Sequence, residues 1–90
     1  MRTETLLIIN KLGLHARAAA RWVTVTGAHA ASIRVSVGGK RAIDGKSIMG
    51  VMLLAAGPGT ELAVQVDGED EEALLEALRT LVANRFGEPE

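Results

Sequence analysis

Two short stretches of this chain alternate apolar and polar residues with a period of two, and that pattern constrains the fold more than any other feature. In Ser32–Val37 the side chains of Ile33, Val35 and Val37 fall on one side, and Arg34 and Ser36 on the other. In Glu61–Asp67, Leu62, Val64 and Val66 share one face. Such stretches predict strands that bury one face and leave the other in water. Thr3–Ile9, rich in β-branched residues, predicts a further strand. Gly38-Gly39 is a strong hairpin signal, so Lys40–Ile43 is expected to return antiparallel beside Ser32–Val37 and to end at Asp44-Gly45.

Helices fall between these strands. Asn10–Leu14 breaks the first strand, with Gly13 supplying the turn. The alanine run around Trp22 predicts a helix from Ala16 to roughly Val25, terminated by Gly27. Ser47–Leu54 predicts a second, short helix, and Gly57-Pro58-Gly59 is a firm break. Asp67–Asp70 places acidic groups where a third helix starts and its free N–H groups favour them. That helix is expected to run to about Arg85, with Leu74, Leu78, Leu81, Val82 and Phe86 as its apolar stripe and Ala73 and Ala77 close to the sheet. Glu88-Pro89-Glu90 is expected to be a loose tail. The order β-α-β-β-α-β-α predicts a two-layer α/β (α+β) fold, with helices on one face of a four-stranded antiparallel sheet. A ferredoxin-like domain has the same order, and pattern alone barely separates the two.

Composition narrows the chemistry. Ninety residues allow one domain, 1–90, with a thin core of Leu, Ile and Val too small to enclose a substrate cavity. There is no cysteine and there are only two histidines, which argues against a disulfide frame, a thiolate metal site or a His-rich zinc cluster. No metal and no cofactor are expected. No apolar run approaches the roughly 18 residues of a membrane span, so a soluble cytoplasmic protein without membrane insertion is expected. Residues 1–60 hold eight Lys or Arg against Glu4 and Asp44, whereas residues 61–90 hold Arg79 and Arg85 against nine acids. This asymmetry fits a basic face that meets an acidic partner, and equally a solvated acidic helix start and tail. The basic residues are scattered and aromatics nearly absent, which argues against nucleic acid as a partner.

His15 follows Gly13-Leu14 and immediately precedes the first helix, with Arg17 two residues on. A helix start presents unpaired N–H groups and partial positive charge, which stabilise an attached anionic phosphoryl group without a metal. Arg17 can donate charge-assisted hydrogen bonds to the same oxygens. Neutral imidazole is a nucleophile near physiological pH. A lone histidine near an arginine is weak evidence by spacing alone, and an ordinary polar residue at a helix start has the same appearance. The chain has no GxxxxGK[ST] phosphate loop, which argues against a nucleotide-hydrolysing enzyme.

Gly13-Leu14-His15-Ala16-Arg17-Ala18-Ala19-Ala20 and Gly45-Lys46-Ser47-Ile48-Met49-Gly50-Val51-Met52 resemble the two motifs of the HPr family of phosphocarrier proteins, and the resemblance spans nearly the whole chain. It implies an open-faced β-sandwich with three helices on one side of four antiparallel strands. It also implies that His15 accepts a phosphoryl group on Nδ1 from enzyme I of the phosphoenolpyruvate-dependent phosphotransferase system. The onward acceptors it implies are enzyme II A-type domains or regulatory proteins, with Arg17 holding the phosphoryl group and the chain a monomeric carrier without turnover of its own. Many members of that family have proline where this chain has Ala18, which leaves the first helical turn less preorganised. Alanine here looks like the branches used for regulation, including the nitrogen-related branch.

Ser47 is a natural N-cap of the second helix. The matching serine of the family is phosphorylated by an HPr kinase/phosphorylase in bacteria that have one, so the resemblance implies a regulatory site at Ser47. Its phosphate would add about -1.5 to -2 charge to the neighbouring face. Ile48, Met49, Val51, Met52 and Leu54 exceed what one face of so short a helix can bury. Apolar area is therefore expected to stay exposed around Ile48, Met49 and Met52, with Val51 and Leu54 in the core, and the resemblance implies a partner-docking patch there, rimmed by Arg21, Lys46 and Lys11. His29 is read as structural or incidental. A regulatory binding module with little onward phosphoryl flow is the second functional reading, and a stand-alone enzyme a distant third.

Overall fold

The computed structural model describes residues 1–90. The strands are β1 (Arg2–Leu7), β2 (Ser32–Val37), β3 (Ile43–Asp44) and β4 (Glu61–Asp67), and the helices are α1 (Ala16–Gly27), α2 (Ile48–Leu53) and α3 (Glu71–Ala83). A 3-10 turn over Arg85–Gly87 follows α3. The strands form one antiparallel sheet in the order β1-β4-β2-β3. Its helix-facing side carries Leu6, Ile33, Val35, Leu62, Val64 and Val66, all buried, while the other side is open. This is the open-faced arrangement of helices on one side of a four-stranded sheet that the element order predicts.

The alternation in β4 explains its place at the centre of the sheet. Leu62, Val64 and Val66 are fully buried, and the strand pairs with β1 on one edge and β2 on the other. α1 lies close to the sheet because its buried positions include Ala18 and Ala19. Trp22, one turn on from Ala18, is fully buried, and its indole N–H donates to the Gly45 carbonyl at 3.1 Å. α3 buries Leu74, Leu75, Leu78 and Val82, and Phe86 extends this stripe beyond the helix end. Ala73 is exposed and does not lie against the sheet as expected, whereas Leu75 is buried.

Three elements depart from the sequence expectations. β3 is only Ile43–Asp44 and not Lys40–Ile43. Gly38-Gly39 does turn the chain, and Lys40 N–H donates to the Val37 carbonyl at 3.0 Å. A regular hairpin from that turn would set Ile43 opposite exposed Arg34, and a one-residue slip sets it opposite buried Val35 instead. The slip places Ile43 on the core side, which a period of two makes the favoured register. Second, Asp70 does not cap α3 with its side chain. Its carboxylate accepts from the N–H groups of Ala30 and Ala31, both at 2.8 Å, and fastens the entry to β2. These backbone bonds, led by the one from Ala30, hold its carboxyl below the usual range. Third, the tail is not loose. Arg85 and Phe86 adopt left-handed conformations, Phe86 is buried, and the residues after it fold back over the start of α1.

Ser47 caps α2 as its sequence position suggests, its Oγ accepting from Gly50 N–H at 3.1 Å. Ser47→Ala should lower stability by about 1 kcal/mol, measured as a shift of the denaturant midpoint with the slope unchanged. Val51 is buried, Leu54 is partly buried, and Ala55 ends α2 with a φ of 50°. The charge asymmetry is met in part within the molecule, where Arg2 pairs with Glu72 at 2.7 Å and Lys11 with Glu90 at 3.4 Å. Arg79 makes a two-pronged pair with Glu4, both distances 2.6 Å, tying α3 to β1. No helix is long and apolar enough to cross a membrane.

Candidate functional site

The site is built from the turn that joins β1 to α1. Asn10 is fully buried, and its side-chain N–H donates to the Gly13 carbonyl at 2.9 Å while Gly13 N–H donates to the Asn10 carbonyl at 3.1 Å. Leu14 is buried, and its N–H donates to the Ala56 carbonyl at 2.8 Å, fixing the turn against the end of α2. His15 follows as the N-cap of α1, with extended backbone, φ -71° and ψ 178°. Its carbonyl accepts from Ala19 N–H at 2.8 Å, the first bond of the helix, and its side chain caps nothing. The amide N–H groups of Ala16, Arg17 and Ala18 therefore lie at the positive end of the helix dipole, with no backbone partner.

The imidazole of His15 is held on one side only. Its Nε2 is hydrogen-bonded to the Glu88 carboxylate, and Glu88 Oε1 also accepts from the Asn10 side chain at 2.8 Å. The carboxylate is the acceptor, so Nε2 carries the proton in the neutral ring. Nδ1 has no protein partner and is not sealed from solvent, and the imidazole is 28% exposed. The Asn10 bond, followed by the His15 bond and the charges of His15 and Arg17, holds the Glu88 carboxyl below the usual carboxylate range. A depressed folded-state pKa stabilises the docked tail fully above the unfolded glutamate range, about 4.3. That contribution is lost as pH falls through the folded value. An acid titration followed by the amide signals of Phe86, Gly87, Glu88 and Glu90 should show tail release only below the ordinary glutamate range.

Arg17 is exposed, its guanidinium makes no hydrogen bond within the chain, and it lines a 260 Å³ depression with Lys11, Leu12 and the tail residues Glu88, Pro89 and Glu90. His15 lines a second depression of 280 Å³ with Leu12, Leu14, Met52 and the Ala55–Gly57 segment. Met52 is the α2 residue in that lining, so the imidazole and this methionine border one depression. Ile48, Met49 and Met52 are exposed on α2, as are Leu53 and Leu12 at 77% and 65% exposure. Ser47 lies at the start of the same helix.

Arg21 and Lys46 are engaged within the protein. Arg21 donates to the Phe86 carbonyl and so latches the tail to α1. Lys46 Nζ donates to the His29 carbonyl at 2.8 Å. His29 itself shares a hydrogen bond of 2.9 Å with the Val25 carbonyl at the end of α1. No group of three or more His, Asp or Glu side chains is placed to hold a metal ion.

Sequence reasoning missed Asn10, Glu88, Leu12 and Leu53. Leu53 had a signal, because positions 48, 49, 52 and 53 share the α2 face turned away from Val51. Glu88 had none of a local kind, being 73 residues from the histidine it holds.

The family model for the PTS HPr component phosphorylation site matches residues 2–84, ending before the tail that covers His15. The phosphocarrier protein HPr of Pseudomonas aeruginosa is 54% identical over 83 residues, 92% of this chain and 92% of its own. That of Cupriavidus necator is 52% identical over the same shares of both chains. The crystal structure of HPr-C-His from Thermoanaerobacter tengcongensis is similar at a TM-score of 0.93 and 37% identity, covering all of both chains. The phosphocarrier protein HPr from Bacillus anthracis gives 0.84 at 37% identity over 90% of this chain and 95% of that one. These relatives are named HPr, so the nitrogen-related branch suggested by Ala18 gains no support from them.

Proposed function

The chain belongs to the HPr family of phosphocarrier proteins of the phosphotransferase system, and from that premise we propose that it takes a phosphoryl group from enzyme I on His15 Nδ1 and passes it to a downstream acceptor. HPr proteins carry phosphoryl groups and do not turn over a substrate of their own. The observation that carries the assignment to His15 is its divided imidazole, with Nε2 bonded to Glu88 and Nδ1 free toward solvent at the start of α1. The Nδ1 lone pair attacks phosphorus. The unpaired N–H groups of the first helical turn and the Arg17 guanidinium then offset the charge of the attached phosphoryl group. Ala18 adds to this turn an N–H that proline would lack.

Enzyme I and the acceptor, an enzyme II A-type domain or a regulatory protein, dock in this reading on Ile48, Met49 and Met52, extended by Leu53 and Leu12. The setting is cytoplasmic. Incubation with enzyme I and phosphoenolpyruvate, followed by intact-mass measurement, should add one acid-labile phosphoryl group to the protein. An unmodified protein would overturn the reading.

Control through Ser47 is a second reading, favoured by its place at the start of the helix that bears the exposed methionines. Phosphate there would add negative charge beside the docking patch and displace the Oγ that caps Gly50 N–H. An HPr kinase/phosphorylase and ATP should add an acid-stable group to the protein but not to Ser47→Ala. Equal modification of both would exclude Ser47.

A further inference from the structure

The chain has no thiol, and its one tryptophan, Trp22, is fully buried. The side chains that an oxidant in solution meets first are therefore the thioethers of methionine. There are three, and all are exposed, Met1 at 73%, Met49 at 67% and Met52 at 40%. Met1 stands ahead of β1, where its sulfur accepts from the Gln65 side chain. Met49 and Met52 lie three residues apart on α2 and share its exposed face with Ile48 and Leu53. Met52 also lines the depression that His15 borders. Oxidisable sulfur is thus gathered beside the phosphoryl site, on the surface that a partner must cover to reach it.

We propose that Met49 and Met52 are a reversible oxidation site, at which a peroxide converts the thioethers to sulfoxides and so weakens the docking of enzyme I without altering the chemistry of His15. The inference rests on the reading of the exposed α2 face as the docking patch. In the step a sulfur lone pair forms an S–O bond with one peroxide oxygen while the O–O bond breaks. Sulfur gives up an electron pair, and hydrogen peroxide is reduced to water. Methionine sulfoxide reductases reverse the change, the oxygen leaving as water while a dithiol is oxidised to a disulfide. Each sulfoxide places a strong hydrogen-bond acceptor among the apolar side chains of Ile48, Leu53 and Leu12. A partner that buries this patch strips water from the acceptor without replacing it. The unmodified thioether has no such cost, and its flexible chain adapts to the partner surface. Neither methionine belongs to the core, so the fold does not depend on their oxidation state.

The test uses the full-length protein as a substrate of enzyme I and phosphoenolpyruvate, before and after hydrogen peroxide, with the oxidised methionines mapped by mass spectrometry. Oxidation of Met49 and Met52 should raise KM by about tenfold, the order expected for burying an unpaired acceptor, while kcat holds. The melt should stay cooperative, and sulfoxide reductases with a dithiol should restore KM. The double variant Met49→Leu, Met52→Leu conserves volume and keeps Met1. Whatever its own starting KM, peroxide should leave that value where it was. Ile48→Lys, unoxidised, tests the docking patch separately and should raise KM. If Ile48→Lys raises KM and oxidation of the unaltered protein does not, the oxidation site is overturned and the docking patch stands. If Ile48→Lys leaves KM unchanged, the docking patch itself falls. A change in kcat alone, an equal rise in the double variant, loss of the cooperative melt, or a KM that the reductases do not restore would each overturn the proposal.

Discussion

Gly13→Ala is expected to destabilise the protein by about 2–3 kcal/mol and to impair phosphoryl acceptance with it. Gly13 has a φ of 64°, where an L-residue costs about 1–2 kcal/mol. An added Cβ would lie 2.1 Å from the Ala56 carbonyl oxygen and 2.8 Å from Gly57 Cα. Both are backbone atoms, so no side chain can turn aside, and the segments must separate. Separation breaks the bond from Leu14 N–H to the Ala56 carbonyl, a further loss of about 1 kcal/mol. For a chain of this size each 1 kcal/mol moves the melting temperature by about 4–8 °C, so thermal unfolding should show a drop on the order of 8–24 °C. Gly27→Ala is the control, because nothing lies within 4 Å of its added Cβ. It closes α1 and should leave stability unchanged or raised by less than about 1 kcal/mol. Similar melting temperatures for the two variants would show that the turn does not depend on its close approach to Ala56.

His15→Ala should abolish phosphoryl acceptance and leave the fold standing. The contribution of His15 to α1 is its backbone carbonyl, which alanine retains, since the imidazole makes no capping bond. The side chain is bonded only to Glu88, which keeps its bond from Asn10. The loss of one hydrogen bond is worth about 1–2 kcal/mol. A cooperative melt with no transferable phosphoryl group is thus the expected pair of results. Residual acid-labile phosphate on this variant would place the carrier nitrogen elsewhere, and His29 would be the only other histidine to examine.

The parts of this architecture that were legible in the sequence are those set by local pattern. β4 follows Leu62, Val64 and Val66, and α2 begins where Ser47 can cap it, because period and capping act over a few residues. β3 was misjudged because the glycine turn states where the chain reverses but not which partner Ile43 gains. Burial opposite Val35 decided the register, and that is a property of the whole sheet. His15 was legible as a histidine at a helix start, and its importance came from the motifs around it. Its partner was not legible. Glu88 reaches it because Arg85 and Phe86 turn left-handed, Phe86 sinks into the core, and Arg21 holds the Phe86 carbonyl. Each of these depends on tertiary contacts, and an acidic, proline-containing chain end reads locally as a disordered one. Arg21 and Lys46 illustrate the same limit, since position alone marked them as rim charges, yet both hold backbone carbonyls within the fold.

The central claim is that phosphate is carried on Nδ1 of His15, the nitrogen of that ring left without a protein partner. It is tested most directly by preparing the phosphorylated protein with ¹⁵N-labelled histidine and reading the phosphorus–nitrogen coupling by NMR under alkaline conditions. A coupling to Nδ1 of His15 is the expected result. Phosphorus bonded to Nε2, or to any other residue, would contradict the account.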